Sequence, residues 1–216
     1  MERFSIFAIL IASLIVQPLR AGTETRDYAI LVGGKEAGHC TIVITDSDDG
    51  KSFMKAVINV KVPGIFFPYA YSAEIQEWWL KDRLTNVIAL STENGKKTAV
   101  SAKAEADRIV VSVNGQSRAV TWEVWTAGFW KLADRRFHNK DVPILEPDTG
   151  KDMVGKLEFV AKEKQKVGAQ MEDCYHFRVT GIPSPTDLWF DVHHRLVRQE
   201  FTESNLKTII QLMHRK

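Results

Sequence analysis

The chain has 216 residues, 44% of them hydrophobic, and its 29 Lys and Arg against 27 Asp and Glu leave a formal charge of +2. That suits one ordinary globular domain and excludes disordered, collagenous and disulfide-scaffold chains. Without a basic excess gathered on one face there is no support for a nucleic-acid surface.

The first feature along the chain is an apolar run, 4–16, broken only by Ser5 and Ser13. As a helix these residues would cover about 20 Å, against about 30 Å of bilayer hydrocarbon. The run is short for a span and suits the core of a secretory signal. Pro18 breaks it, and Ala21-Gly22 offers a cleavage point. The sequence thus predicts a signal peptide, 1–21, and a single antiparallel β domain, 22–216. Such a protein is periplasmic or secreted and keeps no stable membrane span once the signal is removed.

The next runs are extended. Residues 28–32 and 40–45 flank a glycine-bounded turn at 33–38, and Asp48-Asp49-Gly50 follows. Met54, Ala56, Ile58, Val60 and Val62 then alternate with Lys55, Val57, Asn59 and Lys61. Apolar on one side and polar on the other marks a sheet with one wet face. Pro63 and Pro68 bound an irregular stretch whose Phe66 and Phe67 are expected on a rim.

Glu77 shares its strand phase with Tyr71, Ile75 and Trp79 on an otherwise apolar face. A buried carboxylate there needs a partner or a raised pKa. It is a polar anchor in a ligand cavity, one half of a charge pair with an arginine such as Arg178, Arg195 or Arg198, or simply a rim position. Turns at Lys81-Asp82-Arg83, Asn94-Gly95, Ala106-Asp107 and Asn114-Gly115 keep hairpin spacing, and Asn-Gly supplies the positive φ that tight hairpins need. No βαβ rhythm appears.

Segment 121–139 breaks the alternation. Trp122, Trp125 and Phe129 stand at i, i+3 and i+7, as in a short helix with an aromatic face or an irregular loop that docks aromatics. A long sheet must cover its apolar face, and this segment is the expected plug. Pro143 to Gly150 returns the chain to the sheet. Leu157, Phe159 and Ala161, then Tyr175, Phe177 and Val179, resume the alternation. The fold expected is mainly β: a single curved antiparallel sheet, a half-open barrel, with a short helix or loop plugging its apolar face.

Several chemistries fail on spacing. Cys40 shares a face with Ile42 and Ile44, while Cys174 shares one with Glu172, His176 and Arg178, so strand phase argues against a disulfide. His193 and His194 are consecutive and read as a turn, not a metal site. Cys174 and His176 lie on one face with nothing in the sequence to orient the imidazole. Nucleophile elbows, phosphate loops and paired Cys-x-x-Cys clusters are absent.

Taken in order, Glu77-Trp78 through Lys81-Asp82-Arg83-Leu84, then Phe129-Trp130, Asp148-Thr149-Gly150-Lys151, Asp187-Leu188-Trp189-Phe190-Asp191 and Arg195-Leu196-Val197-Arg198 resemble a family of exported bacterial β-rich proteins of unknown function. That family is distantly similar in architecture to the outer-membrane lipoprotein carriers. The resemblance implies fold and export, and no activity.

The functional expectation is a non-enzymatic cell-envelope protein that binds a lipid-like or hydrophobic ligand, with no cofactor, metal or catalytic residue. Its candidate ligand-binding residues are Tyr71, Glu77, Trp79, Trp122, Trp125 and Trp130. The alternative is a structural or protein-interaction module with a solid core. A hydrolase using Glu77 or Asp191 is the remaining option.

Overall fold

A computed structural model describes residues 22–64, 68–203 and 205–216. The signal peptide expected at 1–21 and the Phe66-Phe67 rim lie outside these residues.

The first half of the chain is a meander of eight strands: β1 (Gly22–Val32), β2 (Lys35–Asp46), β3 (Lys51–Val62), β4 (Tyr69–Leu80), β5 (Arg83–Glu93), β6 (Lys96–Ala104), β7 (Arg108–Val113) and β8 (Gln116–Thr121). The second half adds β9 (Trp125–Thr126), β10 (Lys140–Leu145), β11 (Asp152–Val167), β12 (Gln170–Thr180), β13 (Thr186–Asp191), β14 (Leu196–Glu203) and β15 (Leu206–Arg215). Strand β15 pairs antiparallel with β1, with Ile30 opposite Ile210, and so joins the two halves into one fifteen-stranded sheet. Only β9 and β10 run parallel. The sheet ends at β8 and β9 without closing on itself.

Local chemistry accounts for the meander. Asn94-Gly95 and Asn114-Gly115 both hold two consecutive positive φ angles, 48° and 85° in the first and 48° and 89° in the second. Both central residues of a type I′ hairpin need that sign, and its twist matches the strands it joins. Alternation then sends Ile42, Met54, Ile75, Val87 and Val111 to the concave side, where all are buried. Twist accumulated over many strands curls the sheet around that side.

The interior is closed by two loops. Segment 122–139 crosses the concave face as an irregular loop with one 3-10 turn, Arg135–Phe137, and no α-helix. Of the two readings of the plug, the loop is the correct one. It buries Val124, Trp125, Phe129 and Trp130. Phe129 has a φ of 48°, a left-handed conformation that a bulky side chain rarely adopts. The turn between β10 and β11 docks on the opposite wing. There Asp148 meets Tyr71 of β4 and Ser91 of β5, and Arg118 of β8 donates to the Gly150 carbonyl at 2.6 Å. Gly150 has a φ of 73°, and a Cβ there would stand 2.4 Å from Val113 Cγ2.

The structure departs from simple alternation in β11. A bulge between Phe159 and Ala161 leaves Phe159 43% exposed, where phase had placed it inside. Beyond it the β11–β12 hairpin bends over the convex side until Gly168 lies against the Met213 carbonyl. This arm creates a second buried layer outside the sheet. His176 stacks on Trp189 at 4.3 Å, and the Trp189 indole donates to Glu163. Cys174 is buried in this outer layer and Cys40 in the interior, and both are free thiols. Burial pushes each thiol up to about 12. His193 and His194 form the turn read from sequence, closed by a hydrogen bond from His194 N to the Asp191 carbonyl at 2.9 Å.

Candidate functional site

Glu77 lies in the middle of β4, between Met54 of β3 and Val87 of β5. It is fully buried. Its Oε2 accepts three hydrogen bonds, from Trp130 Nε1 at 2.8 Å, Trp79 Nε1 at 2.9 Å and Thr126 Oγ1 at 3.1 Å. Trp79 is two residues along β4, so the strand period alone brings its indole to the same face. Thr126 and Trp130 descend from the plug, which meets the sheet at this carboxylate. Arg26 of β1 fixes the plug from the other side by donating to the Trp130 carbonyl at 2.6 Å.

Among the described residues Glu77 has no arginine partner. Arg178 pairs with Asp187, Arg195 with Asp191 and Glu24, and Arg198 with Glu200. Of the readings of Glu77, the charge pair is therefore not formed, full burial excludes the rim position, and three neutral donors stand where an arginine was expected. Lys131 is the cation whose charge acts on Glu77. Lys131 Nζ lies 4.2 Å from the Trp79 ring centroid and 5.3 Å from that of Trp130, over the indoles that donate to Glu77. Burial raises the Glu77 pKa; the hydrogen bonds from Trp130, Trp79 and Thr126 and the Lys131 charge oppose that rise. Burial likewise lowers the pKa of Lys131.

Oε1 of Glu77 has no hydrogen-bond partner. It lies beside Gly128, where a Cβ would come within 3.8 Å of it. Both residues line a cavity of about 190 Å³ on the concave side, bounded by β1–β4, by β14 and β15, and by the two loops. Engineered apolar cavities of about 150 Å³ admit benzene, so this space is of ligand size. Its walls are mostly aliphatic and aromatic, among them Ile42, Met54, Ile75 and Trp130. The tyrosine hydroxyls on the lining are already engaged. Tyr28 donates to the Leu196 carbonyl at 2.9 Å and Tyr71 to Asp148 Oδ2 at 2.5 Å. Burial holds both phenols far above their ordinary pKa.

Of the six residues picked from sequence, Tyr71, Glu77 and Trp130 line this cavity. Trp79 does not; it supports the carboxylate from behind. Trp122 and Trp125 do not either. Together with Trp79 they line a separate recess of about 20 Å³, roughly the space of one water. Trp122 lies under the Arg83 guanidinium at 4.0 Å. Trp125 is core, packed on Phe129 with ring centroids 4.6 Å apart, its indole donating to the Lys131 carbonyl. The remaining lining residues were not picked from sequence, among them Gly128, Asp148 and Gln199. Gln199 carried a legible signal, since it is a polar residue in phase with Val197 and Phe201, as Glu77 is with Ile75. Among the described residues no group of three or more His, Cys, Asp or Glu is placed to hold a metal ion, and no helix is long and apolar enough to cross a membrane.

An open, plugged, antiparallel sheet around a small cavity defines the class of architecture. The chain belongs to the DUF6134 family, described as a domain of unknown function, which matches residues 28–213. It is similar in fold to the crystal structure of a β-barrel-like protein of domain of unknown function DUF1849 from Brucella abortus. The TM-score is 0.67 at 8% identity, over 92% of this chain and 98% of that one. Comparison with curated proteins gave no match.

Proposed function

We propose that this protein is an exported, non-enzymatic binder of a small hydrophobic or lipid-like ligand, held on the concave side of the sheet. The observation that carries the reading is the cavity of about 190 Å³ in which apolar walls surround a buried carboxylate oxygen with no partner of its own. Apolar walls supply affinity at about 25 cal/mol per Å² buried, and a few fixed polar groups orient the ligand. Export rests on the leader-like sequence at 1–21, which would place the domain in the periplasm or outside the cell.

Native mass spectrometry of the purified protein, followed by calorimetric titration with octanol, octylammonium and octanoate, tests this. A co-purified adduct of low mass, or saturable binding of any of the three probes, is expected. Absence of both would replace the binder with an interaction module.

A further inference from the structure

The ionisable carboxyl side chains on the cavity wall have no basic counterpart there. Glu77 and Asp148 both line it, and no Lys, Arg or His does. Asp148 already accepts from the Tyr71 hydroxyl. Glu77 differs, because all three of its donors converge on Oε2 while the buried Oε1 is left without a partner. A neutral carboxylic acid concentrates its acceptor strength poorly for three donors, whereas a carboxylate accepts them readily. Gln199, buried on β14, is the remaining polar side chain of the lining whose amide is not tied to the described residues.

A free fatty acid fits such a wall badly. Its carboxylate would enter a low-dielectric space lined by two acidic side chains and by no Lys, Arg or His. An ammonium group has the complementary chemistry, with N–H donors and a positive charge for the open oxygen. Resting on the binder reading above, we propose that the ligand is an amphiphile with a protonated amine head and an apolar body, the ammonium donating to Glu77 Oε1.

Three probes of equal chain length test this by calorimetry on the folded protein at pH 7. Octylammonium is expected to bind about tenfold or more tighter than octanoate, and tighter than octanol. In Glu77→Gln the octylammonium advantage should collapse to less than about threefold while octanol binding persists. Octanoate or octanol binding as tightly as octylammonium overturns the proposal and leaves the binder reading intact. So does an octylammonium preference that survives in Glu77→Gln. Binding of none of the three, together with no co-purified adduct, removes the binder reading itself. Should Glu77→Gln fail to fold, the ranking on the unsubstituted protein decides the matter alone.

Discussion

At the scale of single residues, Glu77 is both a structural joint and a chemical group left half used. Replacing it with Leu would strand three buried donors, Trp79 Nε1, Trp130 Nε1 and Thr126 Oγ1. Each stranded donor costs about 1–3 kcal/mol. Glu77→Leu is therefore expected to lose about 3 kcal/mol or more in urea denaturation, whereas Glu77→Gln keeps an acceptor and should lose less. Trp130→Phe keeps the ring but removes one donor, and a loss of about 1–3 kcal/mol is expected. Equal stabilities for Glu77→Leu and Glu77→Gln would show that the three hydrogen bonds do not hold the plug. Glu77 was legible from strand phase because a charge on an apolar face is a conspicuous anomaly. Trp79 was legible in the same way, but the pairing with Thr126 and Trp130 was not, because both reach Glu77 from the plug, which carries no strand periodicity.

At the scale of elements, the strands were readable wherever period-2 alternation had a single core to face. Strand β3, with Met54, Ala56 and Val60 inward, is an example. The reading weakened in β11, where the bulge after Phe159 turns the strand out of the sheet and the arm finds a second surface to cover. Nothing local to 157–161 encodes that bend. The turn between β10 and β11 shows how a loop fixes the position of a wing. Gly150→Ala puts a side chain into a left-handed position, at about 1–2 kcal/mol, and against Val113, at about 1–3 kcal/mol more. A destabilisation of about 2–5 kcal/mol in urea melts is expected, and a change below about 1 kcal/mol would mean that the turn is not docked. Gly128 in the plug behaves differently. A Cβ there has 3.8 Å to Glu77 Oε1, an ordinary contact. Gly128→Ala should therefore leave stability within about 1 kcal/mol, while Gly128→Leu should fill the cavity and weaken octanol binding without unfolding the protein. Unchanged octanol affinity in Gly128→Leu would place the ligand elsewhere.

At the scale of the whole molecule, the sheet joins its first strand to its last, so the termini of the described fold lie side by side and the interior depends on what fills it. Two sets of carboxyl groups titrate in opposite senses around that interior. In Glu24, Asp187, Asp191 and Glu200 burial opposes ionisation, but arginine, lysine and histidine partners and backbone donors outweigh it and hold these groups below their ordinary values. Their contribution is present above the unfolded pKa values and is lost as pH falls through the lower folded ones. Glu77 is the reverse, since burial lifts its folded pKa above the ordinary 4.5 despite its three donors and Lys131. The folded state therefore binds the Glu77 proton more tightly than the unfolded chain does, and stability falls as pH rises from 4.5 towards the folded pKa. Gln at position 77 cannot titrate. The stability of Glu77→Gln relative to the unsubstituted protein should thus be flat below pH 4.5 and improve steadily above it, until the buried carboxyl is ionised. Urea melts of both proteins at half-unit steps from pH 4 to 8 measure that difference directly. A relative stability of Glu77→Gln that stays constant over the range, or that falls as pH rises, would mean that the three donors and the lysine charge fully offset the cost of burying Glu77.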